Sequence, residues 1–119
     1  MPPNPVDFSR RWAAAWNARD LDAVLTFFHE DVRFTSPFAA DVLPESGGVI
    51  CGKHQLRKYW SAGLDRLPDL HFDVEAVYAG VATIVVNYRN QCGRLVNEVL
   101  IFDGDLIREG HGTYVYPES

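Results

Sequence analysis

The sequence predicts an α+β fold, with three amphipathic helices first and a curved, mainly antiparallel sheet behind them. Two observations predict it. Apolar residues recur at helical spacing between Phe8 and Phe28 and again between Leu56 and Leu64. After Leu70 the pattern changes to strict alternation, interrupted only by turn residues, and helices followed by an uninterrupted run of strands is the α+β order.

Asn4, Pro5 and Asp7 read as an N-cap, a first-turn proline and an acidic residue on the positive helix end, so a helix should start there. Phe8, Trp12, Ala15 and Trp16 form its apolar face until "NARD" breaks the pattern. Asp20 then caps a second helix with Leu21, Val24, Leu25 and Phe28 on one face. This places His29 on its last turn, with Glu30 and Asp31 as turn residues. Consecutive side chains on a turn do not converge on one metal, so "HED" predicts no metal site. From Val32 the period becomes two, and "VRFTS" predicts a short strand ended by Pro37.

Residues 37–52, "PFAADVLPESGGVICG", show neither period and predict a long loop bordering a functional site. Leu56, Tyr59, Trp60, Gly63 and Leu64 then define a third helix ended by Pro68. Beyond it, Leu70, Phe72, Val74, Ala76 and Tyr78 alternate with His71, Asp73 and Glu75. "ATIVVNYRN", "RLVNEVLIF" and "LIREGHGTYVY" follow as strands, the last two joined by a hairpin closed at Asp103-Gly104.

With 119 residues, one domain spanning 1–119 is expected, large enough to fold without a staple. Cys51 and Cys92 match no disulfide or metal spacing, and reduced thiols are expected. No apolar run reaches the roughly 18 residues of a membrane span, and the N-terminus lacks a leader's apolar core, which predicts a cytoplasmic chain with no membrane partner. A net charge of −5 without a basic cluster argues against nucleic acid.

The strand from Arg94 to Phe102 is apolar on both faces and should be central. Glu98 shares a face with Val96, Leu100 and Phe102, and a carboxylate in such a setting needs hydrogen-bond partners or a raised pKa. It either serves a ligand or is satisfied structurally. On the last strand Glu109 and His111 fall on one set, with Gly110 and Gly112 flanking the histidine. A regular hairpin would set Glu109 opposite Glu98, and two facing carboxyl groups would share a proton.

The segments "AWNARDLDAVLTFFHEDVRFTSP", "GKHQLRKYWSAGL" and "YRNQCGRLVNEVLIFDGDLI" resemble the nuclear-transport-factor-2-like superfamily, and within it the SnoaL-like branch, over roughly Val6 to Tyr116. The resemblance implies a sheet wrapping the helices into a cone whose open end holds a ligand or active site, and a homodimer through the outer sheet face. Against the related ketosteroid isomerases, the general base of an Asp-Pro pair falls on Ser36-Pro37, the oxyanion tyrosine on Trp12 and the protonated oxyanion aspartate on Glu98. With one role of three retained, the usual steroid isomerisation is not expected. The polyketide-cyclase branch, which uses a carboxylate on the last strand, points to Glu109 or His111.

Two functional classes follow. One is a cofactor-independent isomerase, cyclase or hydrolase acting on a hydrophobic, polyketide-like or steroid-like molecule, with Glu98, Glu109 and His111 as proton carriers and no metal. The other is a non-catalytic module that holds an apolar ligand. In both, Trp12, Trp16, Phe34, Ser36, Tyr59, Trp60, Leu100 and Phe102 would line the cone. The cost of burying Glu98 favours the enzyme.

Overall fold

A computed structural model describes residues 2–117. Helix α1 (Pro5–Asn17) starts as its sequence dictates, with the Asn4 side chain accepting from the Asp7 N–H at 3.0 Å. Phe8, Trp12, Ala15 and Trp16 are its buried face. Helix α2 (Leu21–Leu25), capped by Asp20, is a single turn, shorter than its periodicity predicts. Strand β1 (Phe28–Thr35) begins at once, so Phe28 and His29 belong to a strand and not to a helix end. The two periods agree at Val24, Leu25 and Phe28, all buried, and β-prone Phe28, Val32 and Phe34 lie on the core side of the sheet.

The expected loop also proves structured. Ser36 accepts from the Phe38 N–H at 3.2 Å and Pro37 takes the first helical position of α3 (Pro37–Val42). A 3-10 turn (Pro44–Ser46) and strand β2 (Val49–Cys51) complete it. The count is therefore four helices, α4 (Lys53–Arg66) being the fourth. Ser-Pro is a capping signal, masked in the sequence by the glycines and prolines that follow.

Strands β3 (Asp73–Gly80), β4 (Thr83–Arg89), β5 (Leu95–Asp103) and β6 (Leu106–Tyr114) form the meander. The six-stranded sheet runs β2-β1-β6-β5-β4-β3. Every neighbouring pair is antiparallel except β1 and β6, which run parallel. Its inner face, carrying Phe34, Ile84, Val86, Val96, Leu100 and Ile107, packs on the helices, and burying each such side chain contributes about 1.5–3 kcal/mol. Two polar contacts lock the frame. The Asn17 side chain exchanges hydrogen bonds with the Phe72 backbone at 2.8 and 3.0 Å, and the Arg19 guanidinium donates to the Leu64 and Leu67 carbonyls at the C-terminal end of α4.

The β5–β6 register differs from a regular hairpin closed at Asp103-Gly104. Asp103 pairs with Leu106, so the turn is Gly104-Asp105. Arg108 then forms a bulge, because Phe102 faces Ile107 while Ile101 faces Glu109. One extra residue inverts every side chain beyond it. Glu98 therefore faces Gly112 and not Glu109.

Candidate active site

The helices and the inner sheet face enclose a narrow pocket, about 650 Å³ with its open mouth included, an upper bound on what a ligand can fill. Trp12 and Trp16 from α1, Tyr59 and Trp60 from α4, Phe28 and Phe34 from β1, and Phe72 before β3 make its walls aromatic. They interlock by edge contacts, such as Trp16 with Trp60 at 5.0 Å and Phe34 with Trp60 at 5.3 Å, so the walls are pre-formed. Glu98 is the only Asp, Glu, His, Lys or Arg lining this pocket among the described residues.

Four hydroxyl groups surround that carboxyl. The Tyr88 hydroxyl donates to Glu98 Oε1 at 3.0 Å, and Ser36, Tyr59 and Tyr114 share the wall. Gly112 makes the cluster possible. A Cβ there would stand 3.2 Å from Ser36 Oγ and 3.5 Å from Glu98 Oε1, filling the space between them. Gly110 does the same for packing, since its Cβ would meet the Phe34 ring at 2.8 Å. The two glycines beside His111 thus clear the inner face and leave the histidine outside.

Burial drives the electrostatics. Loss of solvent pushes the Glu98 carboxyl up to about 7, only partly offset by the Tyr88 hydrogen bond to its charged form. Near neutral pH it holds a proton about half the time. Burial likewise raises Tyr88, Tyr114 and Tyr59, with the Glu98 charge acting in the same direction and Ser36 pulling the last two back. All three phenols remain protonated donors.

Of the residues expected to line the cone, Trp12, Trp16, Phe34, Ser36, Tyr59 and Trp60 do so. Leu100 and Phe102 do not: Leu100 is fully buried and Phe102 packs edge-on to Phe8 at 5.4 Å. Glu109 and His111 are not in the pocket either. The Arg108 bulge turns them to the outer sheet face, where His111 Nε2 meets Glu109 Oε1 at 3.1 Å, His111 Nδ1 is hydrogen-bonded to the Thr35 hydroxyl at 2.6 Å, and Arg33 pairs with Glu109 at 3.4 Å. The facing pair of carboxylates does not exist in this fold. Sequence reasoning missed Tyr88, although it continues the set Ile84, Val86 in "ATIVVNYRN". It also missed Tyr114, whose inward aim depends on the bulge.

The SnoaL-like domain family matches residues 9–113. A SnoaL-like protein of unknown function from Burkholderia thailandensis is 36% identical, with a TM-score of 0.86 over 93% of this chain and 94% of that one. At 12% identity the likeness is of fold alone: a putative polyketide cyclase from Sinorhizobium meliloti (TM-score 0.75, 90% and 94% covered) and TerC, solved with polyporic acid (TM-score 0.74, 92% and 90% covered). No curated protein matches the sequence. With the family matched over nearly the whole chain and its wrapped sheet, helices and enclosed pocket all present, this protein belongs to the SnoaL-like domain family.

Proposed function

We propose that the aromatic pocket is the active site of a cofactor-independent enzyme of the isomerase, cyclase or hydrolase type, acting on a small hydrophobic carbonyl compound with Glu98 as the proton carrier. The observation that carries this reading is one carboxyl group, raised to about 7, set among phenols in an aromatic-walled pocket. Near neutral pH both of its forms are populated. The ionised form can take a proton from carbon beside a carbonyl, and the protonated form can return it or donate to the oxygen where negative charge develops. Tyr59, Tyr114 and Ser36 supply further donors to that oxygen, and Tyr88 holds Glu98 in place. Glu109 and His111 have no part in this scheme.

One observation favours the second reading, a binding module without chemistry: among the described residues, Glu98 has no other carboxylate or imidazole beside it in the pocket. An experiment that needs no knowledge of the natural substrate separates the two. Carboxyl-carbon NMR of Glu98 should titrate near 7, and the protein should catalyse deuterium exchange at the methyl group of an acetylnaphthalene in heavy water, with a rate that follows Glu98 ionisation and is lost in Glu98→Gln. A Glu98 signal titrating near the ordinary 4.3, or equal exchange in both proteins, would overturn the enzyme. We also propose that two copies associate through the outer sheet face, where Leu95, Val99 and Ile101 stay only half-buried.

A further inference from the structure

The pocket mouth carries a second group of polar side chains that the chemistry at Glu98 does not use. The turn between β4 and β5 is held rigid by Asn90, whose side chain accepts from the N–H groups of Cys92 at 3.0 Å and Arg94 at 3.1 Å, and by left-handed Gly93 at φ 76°. It sets Asn90, Gln91 and Arg94 around a cleft shared with Pro37, Phe38, Asp41, Leu67 and Tyr114. Asn90, Gln91, Phe38, Leu67 and Tyr114 also line the inner pocket, so the two spaces adjoin.

Arg94 is the only Lys or Arg lining either space among the described residues. Its guanidinium lies over the Tyr114 ring at 5.0 Å and its Nη2 donates to the Val115 carbonyl at 3.3 Å. No carboxylate among the described residues lies within salt-bridge distance, and its Nε, shielded from solvent, has no acceptor. Gln91 Oε1 is likewise shielded and without a donor, while the Gln91 Nε2 makes only a long contact to Cys92 Sγ at 3.9 Å. The turn thus holds a guanidinium whose Nε is unpaired and which no carboxylate neutralises, the kind of group that grips a carboxylate through parallel hydrogen bonds. Asp41 is the one carboxylate lining this cleft among the described residues, and it opposes an anion without neutralising Arg94 by contact.

Resting on the reading of Glu98 above, we propose that Arg94 determines specificity by holding the carboxylate of a substrate whose apolar body fills the aromatic pocket and whose reacting carbonyl reaches Glu98. The substrate class is an apolar keto acid, anionic at one end and enolisable at the other. Tyr114 lies between the two ends: its ring carries the Arg94 guanidinium, and its hydroxyl feels both the Glu98 and the Arg94 charge. On a protein of net charge −5, the guanidinium also gives an approaching anion a local attraction.

The test uses two probes of one shape, an acetylnaphthoate with its acetyl and carboxylate groups at opposite ends and the neutral acetylnaphthalene, titrated against the indole N–H signals of Trp12, Trp16 and Trp60. The wild type should bind the carboxylate about ten-fold tighter than the neutral ketone. Arg94→Met should remove that preference and leave the neutral affinity unchanged, with Arg94→Lys between them. Asp41→Asn should strengthen carboxylate binding about two- to three-fold by removing the opposing charge. Free-state indole dispersion like that of the wild type certifies the fold of each variant, and the lysine variant carries the test if the methionine variant fails it. Equal affinity for both probes in the wild type, or a preference that survives in both Arg94 variants, would overturn the role of Arg94 while leaving the Glu98 reading intact. If neither probe moves any indole signal, both readings fall.

Discussion

Two carboxylates on adjacent strands, Glu98 and Glu109, stand on opposite faces of one sheet and live in different surroundings. Glu98 faces inward among aromatic rings, receives one phenol hydrogen bond, and is held near neutrality by loss of water. Glu109 faces outward with 39% of its side chain exposed, shared between Arg33 and His111. The outer contacts are as well formed on paper as the inner ones. Exposed ion pairs nevertheless contribute only about 0.2–1 kcal/mol, because water screens them and long side chains must be immobilised. What gives a polar group unusual chemistry here is the absence of water and not the richness of its contacts.

The largest expected contrast lies between two neighbours in the chain. Phe34 is 3% exposed and packs on Trp60 and Tyr59, so Phe34→Ala should destabilise the fold by roughly 3–5 kcal/mol. Thr35, which follows it but points outward to His111, should cost less than about 1 kcal/mol on change to Ala. Urea midpoints of the two variants check this, and similar losses would mean that the two faces are not energetically distinct.

Next in size is the pH dependence of stability. Glu98 ionises near 4.5 in the unfolded chain and near 7 when folded. Below the first value both states hold the proton. Between the two the unfolded chain loses its proton while the native state keeps it, so stability must fall as pH rises, and above about 7 the loss is complete. It should amount to at most about 3 kcal/mol, less as water enters the pocket. Glu98→Gln should be flat across this window and more stable than the wild type above it. A wild-type profile as flat as that of the variant would mean that Glu98 is solvated.

The smallest expected effect belongs to the outer face. Val99→Asp should shift the stability of the folded chain by under about 1 kcal/mol and leave the Glu98 titration unchanged, while dissociating the proposed dimer in sedimentation. A wild type that sediments as a monomer at every concentration would remove that assembly, and a displaced Glu98 signal would show that the two faces communicate.

Much of this was legible in the sequence, for identifiable reasons. Helix caps and alternation are local, so α1, α4 and the meander strands could be read directly, and Glu98 declared itself by sharing a face with Val96 and Leu100. The Arg108 bulge could not be read, since the energy of one skipped pairing depends on Phe34 and Ser36 packing against Gly110 and Gly112 from a strand 76 positions earlier in the chain. Simple alternation therefore points Glu109 and His111 to the wrong face. The Ser36-Pro37 cap was a local signal passed over because the segment after it looked irregular.

The parallel pairing of β1 with β6 also governs when the site comes into being. Ser36 sits at the end of the first strand, Glu98 and Tyr88 in the middle strands, and Tyr114 at the end of the last, so no partial chain holds the cluster. Loop closure of this length comes late in folding, after the local hairpins have formed. A nascent chain that still lacks β6 has neither Tyr114 nor the Gly112 backbone that packs between Ser36 and Glu98. Synthesis of the final strand is the event that completes the cluster, and a ligand that needs this cluster binds only finished molecules.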